Sequence, residues 1–111
     1  MFVQIQFKKQ DSYNWHHVYA SESAWAEYIE KALRYSGYEI VRITGGQDPW
    51  RHHLSSSSLW VQRDADGNAV AMMDTEETND MVYHAARFMG SSRFGDRQSV
   101  ERPVAQKIED Y

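Results

Sequence analysis

The segment from Ser21 to Thr44 limits the possible folds more than any other part of the chain, because it has the pattern of an amphipathic helix, a glycine and a β-strand. Apolar side chains recur at helical spacing, which predicts that one face packs against a core. They are Trp25, Tyr28, Ile29, Ala32 and Leu33. Gly37 can adopt the left-handed conformation that ends a helix, and Tyr38 to Thr44 is rich in strand-forming residues.

The polar residues of this segment predict how the helix begins and which side faces solvent. Ser21 is expected to cap the first turn by accepting a hydrogen bond from an unpaired amide. On the exposed side, each of two acidic residues precedes a basic residue by four positions, the favourable order for an ion pair on a helix. These predicted pairs are Glu27 with Lys31 and Glu30 with Arg34.

Four further segments have strand patterns. Phe2 to Lys8 alternates apolar and polar residues, as a half-buried strand does, and Trp15 to Ala20 is its predicted hairpin partner. Leu59 to Arg63 and Ala69 to Asp74 flank a turn rich in Asp, Gly and Asn, residues that tolerate the conformations of a tight hairpin. The sequence therefore predicts two hairpins.

A second helix is predicted from about Thr75 to Met89. Asp74 is the expected N-cap, with Glu77 completing the reciprocal capping pattern, and Gly90 ends the helix. The predicted apolar stripe consists of Met81, Val82, Ala85, Phe88 and Met89.

The order of these elements predicts an α+β fold, a two-layer sandwich in which two helices cover one face of a largely antiparallel sheet of four to five strands. We expect a single domain over residues 1–90 and a C-terminal tail over residues 91–111. The tail is predicted to be extended or partly helical after Pro103. No internal repeat is evident in the sequence.

Alternation along the strands predicts two different sheet faces. The side chains expected to face the helices are Val3, Ile5, Phe7, Val41, Ile43, Leu59 and Val61. Those expected on the opposite, open face are Gln4, Gln6, Tyr38, Ile40, Arg42, Trp60 and Gln62. The open face is thus predicted to be semi-polar and aromatic.

Composition narrows the possible functions. A net charge of −4 argues against a strongly basic nucleic-acid binder. The absence of cysteine excludes disulfides and thiolate metal sites. No apolar run is long enough to cross a bilayer, so we expect a soluble, cytoplasmic protein without a membrane partner. Four Trp and seven Tyr are more than a core of this size requires, which predicts exposed or interfacial rings.

Two patterns in the sequence place histidines where they could bind a metal or take part in acid–base chemistry. The aperiodic loop after Thr44 contains Trp50, Arg51, His52 and His53, and adjacent histidines without further spaced ligands are a poor metal signature. A recognition loop anchored by Trp50 is the favoured interpretation, and no metal or cofactor is expected. Asp80 could orient His84 one turn away, but no nucleophile motif accompanies that pair.

The sequence predicts a small non-enzymatic protein-interaction or regulatory protein, expected to form a homodimer. A bacterial or phage accessory factor or inhibitor would suit its size and acidity. The predicted partner-binding residues are Tyr38, Arg42, Trp50, Arg51, His52, His53 and Trp60. One alternative is binding of single-stranded RNA or DNA through the exposed aromatics and a basic tail. A third is a small-ligand protein or hydrolase that depends on His52, His53 or His84.

Overall fold

The structure, a computed structural model, describes residues 2–47, 59–90 and 93–94, and the backbone of residues 99–101. These residues form six strands and two helices. In chain order they are β1 (Phe2–Lys8), β2 (Trp15–Ala20), α1 (Ser23–Tyr35), β3 (Glu39–Gln47), β4 (Leu59–Arg63), β5 (Ala69–Met73), α2 (Glu76–Phe88) and β6 (Ser99–Glu101).

The strands form one antiparallel sheet in the order β3-β1-β2-β5-β4-β6, and both helices pack on the same face. The predicted α+β two-layer sandwich is therefore confirmed. The sheet has one strand more than the predicted four to five, because residues 99–101 of the predicted tail pair with β4. Residues 93–94 of that tail are also described, whereas its other residues, including the helix expected after Pro103, lie outside the described residues.

The sheet order reveals two units of identical topology. The N-terminal unit consists of β1, β2, α1 and β3, and the C-terminal unit of β4, β5, α2 and β6. In each unit two hairpin strands are followed by a helix and by a strand that pairs with the first strand of the hairpin. The units join through β2 and β5, which pair antiparallel at the centre of the sheet.

A constant shift of 53 residues relates the helices of the two units. The helices begin at residues 23 and 76 and end at residues 35 and 88. Each is followed two residues later by a glycine with positive φ, Gly37 at 92° and Gly90 at 87°. Both glycines were predicted as helix stops, and that prediction is confirmed.

Two pairs of equivalent residues contact each other, as expected for positions on a two-fold axis. Tyr19 pairs with Met72 across the central strands, and these residues are 53 apart. The rings of Tyr35 and Phe88, also 53 apart, lie 5.8 Å from each other. The chain is thus a pseudo-two-fold repeat, and the expectation of no repeat was wrong.

One continuous core lies between the sheet and the helix layer. Its fully buried members come from both units and include Ile5, Phe7 and Val18 of the sheet and Ile29 and Leu33 of α1. Because both helices contribute to the same cluster, the two units fold around a shared interior. No helix in the described part of the chain is long and apolar enough to cross a membrane.

The prediction of which β4 side chains face the helices was wrong. Trp60 packs against the main core and Gln62 bonds to a residue of α2, so both lie on the helix side. Leu59 and Val61 instead join Tyr19 in a second, fully buried apolar cluster on the opposite face. The two alternating sets of side chains in β4 are both apolar or amphipathic, so alternation alone could not show which set faces the helices.

A buried polar pair distinguishes the interior of the C-terminal unit from that of the N-terminal unit. Ala20 and Met73 are equivalent under the shift of 53, and they pair with Val3 and Trp60. Val3 and Trp60 are therefore equivalent, and so are Ile5 and Gln62, which lie two residues further along their strands. The N-terminal unit holds Ile5 and Ala26 there, both in the apolar core. The C-terminal unit holds Gln62 and Asn79, both 0% exposed, and the Gln62 Nε2 donates to Asn79 Oδ1 at 2.6 Å. A buried amide pair therefore replaces an apolar pair.

The helix caps differ from the predicted ones by one residue. Glu22, not Ser21, is the N-cap of α1, and its side chain makes no capping hydrogen bond. Thr75, not Asp74, caps α2, where its hydroxyl accepts from the amide of Thr78 at 3.1 Å. Several neighbouring polar residues compete at each helix start, and the sequence does not distinguish them.

Candidate functional site

The structure separates the residues predicted to bind a partner. Tyr38 and Trp60 pack against the core beneath the helices, so the prediction that they share the open face was wrong. Tyr38 contacts Phe7 edge to face at 5.5 Å. Arg42 is exposed and pairs with Gln6, on the open side as predicted. Trp50, Arg51, His52 and His53 lie outside the described residues, and their role stays a prediction.

A concave surface runs along one flank of α2. Two adjoining cavities of about 490 and 450 Å³ share Tyr38 and His84, and together we name them the α2 groove. It is lined by Lys9, Ser36, Tyr38, Glu76, Glu77, Asp80, Met81, His84, Ala85, Arg87 and Phe88. Tyr38 is half-buried at its centre because it follows Gly37, where the chain turns from α1 into β3.

The end of the α2 groove at the start of the helix is acidic. Glu76 and Glu77 occupy the first turn of α2, where the helix dipole favours negative charge, and Asp80 lies one turn further on. Within the described ranges, neither Glu76 nor Glu77 takes part in a salt bridge. Burial, with a smaller contribution from the charge of Glu77, raises the pKa of Tyr38 above its ordinary value.

The opposite end of the α2 groove is aromatic and exposed. Phe88 is 70% exposed and contacts Tyr35, which is 62% exposed. The prediction that Phe88 belongs to the buried stripe of α2 was wrong, since Ala86 is buried in its place. Arg87 lies over the ring of Tyr83 at 5.6 Å and donates to its hydroxyl at 3.2 Å. Aromatic rings with a stacked arginine are typical of protein interfaces.

A third cavity, of about 420 Å³, adjoins the α2 groove at Glu77 and contains a fixed histidine. His16 is 8% exposed, and its Nδ1 lies 3.0 Å from Thr78 Oγ1. The hydroxyl of Thr75 donates to Thr78 Oγ1 at 2.9 Å, so the side chains of Thr75, Thr78 and His16 form a connected set of hydrogen bonds at the start of α2.

A counterpart of the α2 groove lies on α1 in the N-terminal unit, and we name it the α1 cleft. This smaller cavity, of about 200 Å³, is lined by Ala24, Glu27, Tyr28, Lys31 and Arg93. The first four of these residues, shifted by 53, become Glu77, Asp80, Met81 and His84, and all four line the α2 groove. The two cavities therefore occupy equivalent places in the two units.

An arginine of the chain itself occupies the α1 cleft. The guanidinium of Arg93 lies 5.2 Å from the ring centroids of both Trp25 and Tyr28. The Arg93 amide donates to the Tyr28 hydroxyl at 3.0 Å. Phe94 stacks on Trp25 at 5.7 Å and is itself buried. This side of α1 is thus closed by the segment that follows α2.

The open face of the N-terminal unit carries a smaller polar and aromatic strip. Trp15, 52% exposed, pairs with Lys8, and Gln6 pairs with both His17 and Arg42. Lys8 also forms a salt bridge of 3.2 Å with Glu39. Arg42 lies on this face as the sequence predicted, with Trp15 and Lys8 beside it.

The described residues that line the α2 groove and the α1 cleft include no recognisable catalytic centre. Among the described residues, no three His, Cys, Asp or Glu side chains are placed to hold a metal ion. Asp80 and His84 both line the α2 groove, as their spacing allows, and the ring of His84 contacts Tyr83 at 5.5 Å. What the groove does offer is a long concave surface with carboxylates at one end and aromatic rings at the other.

Sequence reasoning missed the α2 groove because its walls come from segments that are distant in the chain. Tyr38 lies at the start of β3, whereas Glu77, His84 and Phe88 belong to α2. One usable signal was present: Phe88 occupies the same place relative to Gly90 as Tyr35 does to Gly37. That correspondence would have indicated a repeat with paired aromatics.

The chain matches no known family model, and no curated protein or solved structure is significantly similar to it.

Proposed function

We propose that the protein is a non-enzymatic protein-interaction module and that the α2 groove receives its partner. The observation that carries this proposal is the pair of exposed rings, Tyr35 and Phe88, at one end of a groove that follows α2. Exposed large aromatics on an otherwise well-packed fold mark interaction surfaces. The thirteen residues of α2 span about 20 Å, which suits a peptide segment better than a small metabolite.

The test is affinity capture with the full chain as bait, followed by quantitative mass spectrometry. A Tyr35→Ala/Phe88→Ala variant should lose a partner that the wild type retains, and a Gln6→Ala/Arg42→Ala variant should keep it. Both pairs of side chains are at least partly exposed, so stability should change by only about 0.5 kcal/mol. Loss of the partner with the open-face variant alone would refute the assignment of the groove.

Self-association is a separate outcome of the same proposal. Light scattering gives the molar mass of the wild type and of the Tyr35→Ala/Phe88→Ala variant. A dimer that dissociates in this variant would make a second copy of the chain the partner. A wild-type monomer at high concentration would leave a different protein as the partner and would refute the predicted homodimer.

A second candidate function, binding of single-stranded RNA or DNA, rests on the open-face strip. Trp15 offers a ring for base stacking, with Lys8 and Arg42 near it for phosphates. Oligonucleotide should then quench tryptophan fluorescence in the wild type more than in Trp15→Phe, with an affinity that falls steeply as salt is raised. Absence of quenching at low salt would exclude this function.

A further inference from the structure

We infer that the aromatic end of the α2 groove binds a carboxylate side chain, an aspartate or glutamate that the partner presents next to an apolar residue. This inference rests on the proposed function and specifies what the partner must carry. Its basis is a group of polar side chains with unused hydrogen-bonding capacity that line one cavity of about 490 Å³, beside the exposed ring of Phe88.

Four polar side chains line this cavity, namely Ser36, Tyr38, His84 and Arg87. The Oγ of Ser36 is buried and has no hydrogen-bond partner within the described ranges, which is unusual because burying an unpaired hydroxyl costs free energy. The described residues also provide no hydrogen-bond partner for the hydroxyl of Tyr38 or for the ring nitrogens of His84. A ligand that accepts hydrogen bonds would satisfy these groups.

Arg87 provides the positive charge of this end. Its Nη1 donates to the Tyr83 hydroxyl, and in the part of the chain that the structure describes Arg87 forms no salt bridge. A guanidinium has five N–H donors, so most of them remain for a ligand. The carboxylates of the groove line its other end, and they are Glu76, Glu77 and Asp80. The aromatic end therefore combines hydrogen-bond donors with a local positive charge.

The repeat shows what the equivalent arginine does when a carboxylate is within reach. Arg34 of α1 corresponds to Arg87 under the shift of 53, and its Nε donates to Glu30 Oε2 at 2.9 Å. The residue equivalent to Glu30 is Tyr83, which offers a phenol instead of a carboxylate. The same arginine position is thus ion-paired within α1, whereas in α2 the carboxylate must come from outside the helix.

A carboxylate fits these groups better than a neutral acceptor does. It presents two oxygens with about four acceptor sites and no donor, which suits a guanidinium and two hydroxyls around one cavity. A carbonyl or amide would leave the charge of Arg87 uncompensated. The partial negative charge at the end of α2 opposes an anion, but it is only about half an elementary charge against the full charge of Arg87. Phe88 gives the adjoining apolar residue a ring to contact.

The test uses an acetylated tripeptide amide with glutamate between two leucines, and the same peptide with glutamine in its place. Chemical shifts of ¹⁵N-labelled protein at low salt should show binding of the glutamate peptide, with about tenfold weaker binding of the glutamine peptide. Because the whole chain has a net charge of −4, general electrostatics disfavours the glutamate peptide, and a preference for it requires a local site. Equal affinity for the two peptides, or no binding of either, would overturn the inference.

Matched variants at equivalent positions of the two helices locate the site. Arg87→Gln should weaken binding of the glutamate peptide about tenfold, whereas Arg34→Gln removes the same charge from α1 and should leave the affinity unchanged. Tyr83→Glu places a carboxylate where α1 has Glu30, so it should weaken binding more than Tyr83→Gln does. Equal weakening by Arg87→Gln and Arg34→Gln would overturn the inference.

The Arg87→Gln variant also separates this inference from the proposed function. Capture of a partner that needs Tyr35 and Phe88 but tolerates Arg87→Gln would refute the carboxylate site and leave the proposed function intact. Conversely, the glutamate peptide could bind in a manner that depends on Arg87 while no captured partner depends on Tyr35 and Phe88. That result would refute the proposed function and leave the carboxylate site intact.

Discussion

The two units of the molecule share a topology, but they differ in the contacts that pack their helix against the sheet and in the cavity along the side of that helix. In the N-terminal unit, α1 packs through apolar contacts that include Ala26, and its flank is closed by Arg93 and Phe94. In the C-terminal unit, α2 is held partly by the buried pair of Gln62 and Asn79, and the described residues form a groove along its flank. The same topology therefore combines one helix whose flank is contacted by a later segment of the chain with another whose flank forms a groove.

The buried amide pair explains part of this difference. A polar pair in the core contributes little net stability, because each amide loses its hydrogen bonds to water. It does restrict the position of the helix, since a shift of α2 would break the hydrogen bond between Gln62 and Asn79. A second buried polar contact, between His16 of β2 and Thr78 of α2, joins the two units at the start of α2. These contacts fix the helix whose flank forms the groove.

The largest expected effect comes from placing the polar residue of one unit in the other. Ile5→Gln should destabilise the protein by about 3 kcal/mol, because an unpaired amide is buried and apolar contacts are lost. Adding Ala26→Asn should recover about 1 kcal/mol by rebuilding the pair. Urea denaturation measures both values, and a single variant as stable as the wild type would contradict the equivalence of the two sites.

The reverse change should be milder. Asn79→Leu alone leaves the amide of Gln62 without its acceptor and should cost about 1–3 kcal/mol. Combining it with Gln62→Met makes the pair apolar at similar volume, and the double variant should be more stable than Asn79→Leu alone. A double-mutant cycle in thermal denaturation measures the coupling, and strictly additive effects would show that the pair is not a unit.

Removing the cation from the α1 cleft should have a smaller effect. Arg93→Ala deletes the contacts of the guanidinium with Trp25 and Tyr28 and should lower stability by about 0.5–1 kcal/mol. The control is Arg34→Ala, which breaks the exposed pair with Glu30 and should cost about 0.3–0.5 kcal/mol. A smaller loss of stability for Arg93→Ala than for this control would indicate that Arg93 does not stabilise the fold through its contacts in the α1 cleft.

The smallest expected effect on stability is that of Tyr38 at high pH. The pKa of Tyr38 is raised, so above about pH 10 an unfolded tyrosine releases its proton more readily than Tyr38 does. Stability contributed by this difference is complete below that pH and is lost as pH rises through the folded pKa. Tyr38→Phe should therefore unfold less readily in alkali than the wild type.

A spectroscopic titration isolates the contribution of Glu77 to the same pKa. The titration is followed by the absorbance of the phenolate. In it, Glu77→Gln should lower the pKa of Tyr38, although burial maintains most of the increase in that pKa. The matched control, Glu27→Gln, should leave that pKa unchanged. An identical titration in wild type and Glu77→Gln would show that the carboxylate does not act on the phenol.

Much of the fold was predictable because local patterns agree with the final packing. The strands Phe2–Lys8 and Trp15–Ala20 were predicted with their observed bounds, and the pair of Glu30 with Arg34 forms at 2.9 Å. Glu27 and Lys31 form no such pair. An exposed pair gains little free energy, so its formation depends on the particular side-chain conformations rather than on spacing.

The candidate site was less predictable, since it depends on which face each side chain reaches. Tyr38 and Trp60 were assigned to the open face, but hairpin register and the irregularity between β1 and β3 turn them toward the helices. The repeat was hidden because the two units share spacing and glycines rather than side chains, with Ile5 and Ala26 replaced by Gln62 and Asn79. A comparison of helix lengths and stop signals would have revealed it.

The most direct test of the account is a ¹H–¹⁵N NMR titration of the full chain with the partner recovered by affinity capture. The account predicts that chemical-shift changes concentrate at Tyr35, Tyr38, His84 and Phe88, with little change at Gln6 and Arg42. It also predicts that the Tyr35→Ala/Phe88→Ala variant shows much smaller changes with the same partner. Changes concentrated at Gln6 and Arg42 would contradict the assignment of function to the α2 groove.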